Sequence, residues 1–392
     1  MTSVLASPVD FRISDERYGK SYNILNNLQS DEFEIEAYTA EVETPVTCDN
    51  VSLRPFHSES KIEYLTDSYK EAYGQLRSGN VDIYHHMNLG YRWFNPILVA
   101  GLADEVPTII GPAQGGHDIL KEEFYHLVNH ASRLSVPRPV TDPLYRIIQR
   151  TRSTLIDPPR LQLYRRTLRE ADKVIAVHQE AKDLLSEFVD RSNIDIIPLG
   201  VDVSEFTFSE RKQTTDLVAI GVLKQRKGYD ILLNAVAQVC EVYPNVQLHV
   251  FGEGPRKSAL EGLAKSNGIS NNVTFHGYVD QSVLQEYLAN ARAFVHPSRS
   301  ESFSLVRLEA MATGTPAIVS NTSGAREMVR DGTDGFVVPI ESTDELADAI
   351  ERVLSDFDLT KRMGYNARDH VEEEYDWAKI GQQYIEAYRS LI

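Results

Sequence analysis

Residues 292–320 read RAFVHPSRSESFSLVRLEAMATGTPAIVS, in which two short apolar runs enclose a polar turn and a helical pattern. Leu305, Leu308 and Ala312 recur at helical spacing, and Gly314 followed by Pro316 ends that pattern before the second apolar run. Short β-rich runs that alternate with helical patterns are typical of a parallel sheet covered by helices. The stretch therefore predicts a strand, a helix and a second strand, with the polar turn at the carboxyl end of the first strand.

Two glutamates in this stretch are candidates for ligand binding. Glu301 lies on the turn, and we expect Glu309 about two helical turns further on, roughly 12 Å along the axis. That rise is comparable to the span from the sugar of a nucleotide sugar, across its diphosphate, to the ribose. Free amides at a helix entrance suit a diphosphate, and carboxylates pair well with vicinal hydroxyls. The alternative for each glutamate is an ordinary surface position. The residues of the predicted helix entrance are Ser302, Phe303, Ser304 and Leu305.

The alternation of apolar runs with helical patterns extends through both halves of the chain and predicts a doubly wound α/β architecture in each half. We place the first domain at 1–205, the second at 206–375, and an amphipathic C-terminal helix at 376–392. The predicted strands of the first half are SVLASPVDF, FEIEAYTAEVE, VDIYHHM, VPTIIGP and DKVIAVH, and the segment 194–216 between the halves is a further strand followed by a polar connector. Those of the second half are TDLVAIGVL, VQLHVFGEG, VTFHGYV, RAFVHPS, TPAIVS and GFVVPI.

Composition excludes several classes of protein. The 392 residues carry a formal net charge of −17, which argues against general nucleic-acid binding. The only cysteines, Cys48 and Cys240, are too far apart in sequence to indicate a disulfide framework or a cysteine metal site. With no membrane-spanning apolar run and no secretory leader pattern, we expect a cytoplasmic enzyme. Few lysines and many carboxylates fit a halophilic source; an ordinary acidic enzyme is the alternative.

The segment 131–169 departs from this acidic background, because nine arginines stand against Asp142 and Asp157. One interpretation is a solvated helical face that pairs with acids elsewhere in the chain. The other is a basic, partly apolar surface that meets the anionic inner face of the cell membrane or a phosphorylated acceptor. Flotation with anionic vesicles at low salt tests the second interpretation, which fails if the vesicles do not retain the protein.

Other predicted strand ends bring cations and glycines to the same edge of the second sheet. Gly221 ends one strand and precedes Lys224, Arg226 and Lys227, cations that suit phosphate groups; a solvated basic turn is the alternative. Gly254, in FGEGP, follows another strand, and FHGYVD (275–280) contains a third such end. Ligands of open α/β sheets bind at the carboxyl ends of the strands, where glycine lets the backbone approach closely.

Residues 216–340 resemble the donor-binding domain of the family-four retaining glycosyltransferases, which have the GT-B fold. The resemblance implies two Rossmann-like, doubly wound domains that face each other across a cleft, and a C-terminal helix (376–392) that crosses back to the first domain. The matching stretches are GVLKQRKGYDILLNA, LHVFGEGP, VTFHGYVDQSVLQEYLANARAFVHPS, ESFSLVRLEAMATGTPAIVSN, GAREMVRDGTDGFVVP and LADAIERVLSD, with IIPLGVDVSEF as the lead-in. They occur in the family's order and at its spacing.

The resemblance implies a role for each matching residue. Glu301 contacts the transferred sugar, Glu309 binds the nucleotide ribose, and Lys227 neutralises the diphosphate. The amides of residues 303–305 contact sugar and phosphate, and Tyr278 and Val279 face the base. His117, on the glycine-rich loop of IIGPAQGGHDIL, occupies a place where relatives often have a histidine near the donor sugar; the alternative is a loop histidine bonded to backbone.

The sequence also departs from the family's pattern at several places. Val222 stands where an arginine usually follows the glycine, so Arg226 or Lys224 would have to replace it. The usual double-glycine loop after the first strand retains only Gly19. His178 stands where a serine commonly ends the predicted strand DKVIAV.

The predicted reaction is transfer of a hexosyl group from a nucleoside-diphosphate sugar to a glycan or lipid-linked acceptor, and the resemblance implies that the anomeric configuration is retained. Its departing diphosphate needs fixed positive charge rather than a strong acid. We expect no metal and no cofactor, because the only Asp-x-Asp (356–358) follows a helix and adjacent His85 and His86 point to opposite faces of a strand. The alternatives are a nucleotide-sugar epimerase and a nucleotide-binding scaffold with little turnover. The sequence does not identify nucleotide, sugar, linkage or oligomeric state.

Overall fold

The computed structural model describes residues 1–7, 12–13, 20–87, 106–113, 168–208 and 213–392. Within these ranges the chain forms two compact units. The first consists of Met1–Pro198 together with Ala378–Ile392, and the second of Leu199–Trp377.

The first unit is built on a parallel sheet of seven strands in the order β5-β3-β1-β6-β7-β8-β9, beside a separate short pair, β2 and β4. The strands are β1 Thr2–Ala6, β2 Arg12–Ile13, β3 Phe33–Thr39, β4 Glu41–Val42, β5 Val51–Pro55, β6 Ile83–His86, β7 Thr108–Ala113, β8 Lys173–Ala176 and β9 Ile194–Ile196. The helices described between them are α1 Lys20–Leu25, α2 Lys61–Ser78 and α3 Gln179–Leu185.

The second unit has a parallel sheet of six strands in the order β12-β11-β10-β13-β14-β15. Its strands are β10 Asp216–Ile220, β11 Gln247–Phe251, β12 Val273–Gly277, β13 Ala293–His296, β14 Ala317–Ser320 and β15 Gly335–Val338. Its helices are α4 Tyr229–Val242, α5 Lys257–Ser266, α6 Gln281–Asn290, α7 Leu305–Ala312, α8 Ala325–Met328, α9 Thr343–Ser355 and α10 Phe357–Glu374. Because β13, β14 and β15 are completely buried, these strands read as short continuous apolar runs in the sequence.

The strand order of the second sheet reverses between β10 and β13. From β10 the chain proceeds outward through β11 to β12, and it then returns to place β13 on the other side of β10. Parallel strands that diverge in this way leave a crevice at their carboxyl ends, where α/β proteins bind ligands. The loops that follow β10 and β13 therefore decide the chemistry of this unit.

The last helix, α11 Trp377–Arg389, returns to the first unit. It carries the predicted apolar side, since Trp377, Ile380, Tyr384 and Tyr388 are all buried. Its fit against the unit is close. A Cβ placed on Gly381 would lie 1.8 Å from the carbonyl oxygen of Asn27, which only glycine avoids. The predicted return of the C-terminal helix is thereby confirmed.

Every strand quoted from the sequence is present, and the predicted class of two Rossmann-like α/β domains is confirmed. One strand of the main sheets was missed: β5, read as VSLRP, lies at the edge of the first sheet and ends in Pro55. An edge strand tolerates proline and polar residues because one of its sides lacks a neighbouring strand. Among the described helices, none combines the length and the apolar character needed to cross a bilayer.

Candidate functional site

The loops after β10 and β13 are in direct contact at the carboxyl edge of the second sheet. After β10 the chain makes a 3₁₀ turn, Gln225–Lys227, and Gly228 ends it with φ = 69°. A Cβ on Gly228 would lie 1.9 Å from the carbonyl oxygen of Pro297, which follows β13. Glycine is therefore required here by both the backbone conformation and the close approach. The contact brings residues 224–228 against residues 297–301.

Lys227 and Glu301, 74 residues apart in the chain, form the centre of this contact. Lys227 Nζ donates to Glu301 Oε2, and each side chain is only 12% exposed. The same ammonium lies 3.2 Å from Nε2 of His296, the last residue of β13. Because an ammonium only donates, His296 Nε2 accepts and the imidazole proton lies on Nδ1. The sequence placed Lys227 and Glu301 in one site; the structure adds that they bind each other.

The electrostatics of this cluster follow from burial and from an excess of cations. Burial by itself would raise the pKa of the Glu301 carboxyl, but Lys227, Arg226 and Arg307 outweigh it and hold the pKa below its usual value. Burial lowers the pKa of the Lys227 ammonium, an effect that the charge of Glu301 offsets only in part. Burial and the neighbouring cations hold the pKa of His296 well below its ordinary value, so the imidazole is neutral at pH 7.

Two arginines complete the positive surroundings of Glu301. Arg226 Nη1 lies 3.5 Å from Glu301 Oε2 and 3.3 Å from the carbonyl oxygen of Ser300. Lys224, the other candidate to replace an arginine at Val222, is exposed, and it is Arg226 that the structure brings to the cluster. Arg307 is fully buried in α7, and burial lowers its pKa to about 10. Sequence reasoning missed Arg307 because a helical pattern gives no indication that an arginine is buried.

Arg299 holds the two loops together. Its backbone N–H donates to Arg226 O at 2.7 Å, and its guanidinium donates to Gln225 O at 2.7 Å. The same guanidinium binds both carboxylate oxygens of Asp230, at 2.8 and 3.1 Å, at the start of α4, and it also pairs with Glu341 after β15. This forked arrangement requires the planar guanidinium of an arginine. The sequence offered no signal for it beyond the position of Arg299 in the polar turn.

The helix entrance is present, but the spacing predicted for Glu309 is wrong. Ser304 is the N-cap residue of α7 in an extended conformation, and its hydroxyl makes no capping hydrogen bond. Since α7 begins only at Leu305, Glu309 is the fifth helical residue and lies little more than one turn in, about 6 Å along the axis. Glu309 is buried, with 4% exposure. Phe303 and Ser304 are also buried, whereas Ser302 and Leu305 are partly exposed.

The remaining predicted residues of this edge surround the cluster at other strand ends. Gly221 follows β10 with φ = 148°, and its carbonyl oxygen accepts from Tyr229 Oη at 3.1 Å. A Cβ on Gly254 would lie 2.6 Å from Leu223 O, so this glycine is needed by a contact between two loops of the protein itself. Tyr278 follows β12 and is 77% exposed; Val279 is partly exposed. Their roles toward a base stay predictions.

Several other predictions concern residues away from this edge. Gly19, His117 and nearly all of the basic segment 131–169 lie outside the described residues. His178 acts as the N-cap of α3, since its Nδ1 accepts from Ala181 N at 3.0 Å. Asp356, the first residue of the Asp-x-Asp, caps α10 by accepting from Leu359 N at 2.8 Å. In the described part of the chain no group of three or more His, Cys, Asp or Glu is arranged to hold a metal ion.

The two units match two family models. Residues 202–370 match the model described as glycosyl transferases group 1, and residues 21–205 match that of glycosyltransferase family 4. The D-inositol 3-phosphate glycosyltransferase of Nocardia farcinica is 32% identical over 242 residues, which cover 57% of this chain and 53% of that protein. The chain spans about half the length of the curated relatives it matches.

Solved structures extend the likeness to the whole chain. Sucrose-phosphate synthase from Thermosynechococcus elongatus has a TM-score of 0.70 at 20% identity and covers 100% of this chain and 99% of its own. HepE of Anabaena, solved in complex with UDP, has a TM-score of 0.69 at 17% identity, and all of both chains is covered. At such identities the likeness concerns the fold, and it confirms the GT-B class that the sequence predicts.

Proposed function

We propose that this chain, which belongs to the group 1 glycosyltransferases, moves a hexosyl group with retention from a nucleoside-diphosphate sugar to a glycan or lipid-linked acceptor. The observation that carries the proposal is the cluster of Lys227, Arg226 and Glu301 at the point where the second sheet reverses its strand order. Two cations, a buried carboxylate and the N-terminus of α7 together match the anionic and hydroxyl groups of such a donor.

In the proposed reaction the bond between the anomeric carbon and the diphosphate breaks, while the acceptor hydroxyl forms the new glycosidic bond on the same face. Negative charge accumulates on the departing diphosphate. Lys227, Arg226 and the first amides of α7 stabilise that charge. Glu301 accepts hydrogen bonds from sugar hydroxyls, and His296, neutral at pH 7, adds no charge. The proton of the acceptor hydroxyl leaves with the diphosphate.

The donor's nucleotide end is assigned to the strand ends beside this cluster. In the proposal the ribose binds Glu309 and the base lies near Tyr278, whose ring is exposed and available for stacking. HepE was solved with UDP, which makes a uridine donor the first to examine. The acceptor would bind the first unit. The arginine-rich segment 131–169 motivates a lipid-linked acceptor there.

Thermal stability measured with UDP, GDP, ADP and their sugars tests the donor class. A ligand at 100 times its dissociation constant adds about 2.7 kcal/mol to the free energy of unfolding. We expect one nucleotide series to stabilise the wild type and to stabilise Glu309→Gln less, because the neutral amide oxygen of glutamine is a weaker acceptor for the ribose hydroxyls than a carboxylate. Glu351→Gln, a matched change on α9, should respond like the wild type. If no nucleotide or nucleotide sugar shifts the wild type, the proposed donor class is wrong.

A further inference from the structure

The ammonium that the proposed function assigns to the donor's diphosphate is already engaged in the protein itself. Lys227 Nζ donates to Glu301 Oε2, and the side chains of both residues are about nine-tenths shielded from solvent. Its other described neighbour within hydrogen-bond reach is His296 Nε2, at 3.2 Å. Glu301 is also the residue assigned to the sugar hydroxyls. The two groups that would hold opposite halves of the donor therefore neutralise each other when the donor is absent.

We propose that Glu301 and the donor's diphosphate compete for Lys227, so that Glu301 sets the preference of the site for a nucleotide sugar over the nucleoside diphosphate left after transfer. The inference rests on the proposed function and deepens it. Its basis is the direct contact of Lys227 and Glu301 in the second unit.

The preference depends on whether a ligand that draws Lys227 away also supplies hydrogen-bond donors to the Glu301 carboxylate. A nucleotide sugar draws Lys227 toward its phosphates, but its sugar hydroxyls then donate to Glu301 in place of the ammonium. A nucleoside diphosphate draws Lys227 in the same way and brings no hydroxyl to that position. It leaves the buried carboxylate of Glu301 with Arg226 as its remaining charged contact among the described side chains, since Arg226 Nη1 lies 3.5 Å from Oε2. His296 Nε2, 3.8 Å from the same oxygen, has no proton to donate. Removing one partner of a buried ion pair is strongly unfavourable.

The same competition acts on product release. Once the sugar has been transferred, its hydroxyls leave Glu301, and the carboxylate becomes free to bind Lys227 again. Each re-formed pair removes one cation from the diphosphate. The nucleoside diphosphate consequently leaves faster than it would from a site in which Lys227 had no competing partner.

Calorimetric titration of UDP, GDP and ADP, and of UDP-glucose, GDP-mannose and ADP-glucose, tests the proposal on wild type and Glu301→Gln. With the competing charge removed, Glu301→Gln should bind the diphosphate of the preferred series about tenfold tighter than the wild type does. Its sugar nucleotide should gain less, because glutamine is the weaker acceptor for the hydroxyls. Glu301→Ala, measured in the same way, replaces Glu301→Gln if the latter does not fold.

Glu253→Gln is the matched control for net charge. Glu253 follows β11 at the same edge of the sheet, and its carboxylate pairs with Lys257 at 2.8 Å rather than with Lys227. The competition is refuted if the diphosphate affinity of Glu301→Gln is unchanged, or if Glu253→Gln tightens it equally; the proposed function survives either result. If neither diphosphates nor sugar nucleotides bind the wild type, the proposed function fails and the competition fails with it.

Discussion

Two histidines occupy equivalent places in the two units and have different surroundings. His85 lies in β6 and His296 ends β13, and each of these strands neighbours the first strand of its sheet. Both side chains are fully buried, and burial holds both imidazoles neutral. His85, however, is bonded to Tyr388 Oη at 2.8 Å and to Gly111 O at 3.1 Å, whereas His296 faces the ammonium of Lys227. The same residue type therefore anchors a helix in one unit and lines a charged site in the other.

The two histidines differ in the groups that their ring nitrogens contact. The partners of His85 are neutral, and one of them comes from α11, the helix that returns from the end of the chain. The Nδ1 of His296 has no hydrogen-bond partner among the residues that the structure describes, and Ser298 Oγ lies 2.9 Å from its Nε2. Burying a cation and a carboxylate beside such a group costs desolvation free energy, and clusters of this kind occur preferentially at binding and catalytic sites.

The largest expected effect concerns Lys227, the cation that faces His296. Lys227→Met should lower kcat/KM for sugar transfer by about 10²–10³-fold, because it removes a positive charge that stabilises the departing diphosphate in the proposed reaction. Initial rates with the donor identified by the stability measurements provide the test. Lys257→Met, which removes a partly exposed ammonium paired with Glu253, is the matched control and should retain most of the activity. Equal losses in the two variants would mean that the cluster is not the donor site.

The second effect concerns acid stability and His85. Burial lowers the pKa of His85 from 6.5 to about 3. Between these values the unfolded chain binds a proton that the folded unit does not, so the stabilisation is complete above pH 6.5 and declines as the pH falls toward 3. The decline is at most about 1.4 kcal/mol per pH unit. Urea unfolding at several pH values should show a shallower dependence for His85→Gln; an unchanged slope would show that His85 does not contribute.

The smallest effect separates two tyrosines of the same helix. Tyr388→Phe removes the hydroxyl from His85 Nδ1 and leaves a buried ring nitrogen unpaired, which should lower the free energy of unfolding by about 1–3 kcal/mol. Tyr384→Phe is its control, because the buried Tyr384 hydroxyl has no hydrogen-bond partner in the described part of the chain. Denaturant unfolding should therefore leave Tyr384→Phe near the wild type or above it. Similar losses in both variants would contradict the anchoring role of His85.

Most of the fold was predictable because buried parallel strands are visible in the sequence as short continuous runs of apolar residues. The runs AFV (293–295) and AIV (317–319) are apolar throughout, since both faces of β13 and β14 are covered. The edge strand β5 was not predicted, because an edge strand needs neither a continuous apolar run nor the exclusion of proline. The position of Glu309 was misjudged for a related reason. Nothing in ESFSLVRLE marks Leu305, rather than Ser302, as the first helical residue.

The candidate site was predictable as a set of strand-end residues and not as a set of contacts. Lys227 and Glu301 each follow a predicted strand, and the carboxyl ends of parallel strands meet at one edge. Their direct pairing depends on the close approach of Gly228 to Pro297 and on the forked contacts of Arg299. His296 was detectable in principle, because it is the last residue before the polar turn. Arg307 was not, because arginines in helices usually face solvent.

The sequence alone determined the two α/β units, the amphipathic C-terminal helix and the edge of the second sheet where the charged residues meet. These features follow from the period of apolar residues and from turn residues, which are local properties of the chain. Tertiary structure alone decided that Lys227 and Glu301 bind each other, that His296 is neutral and that Arg307 is buried beside them. Those outcomes depend on how deeply each side chain is buried and on charges that lie 74 residues apart in the chain. A local sequence pattern predicts neither the burial nor the contact.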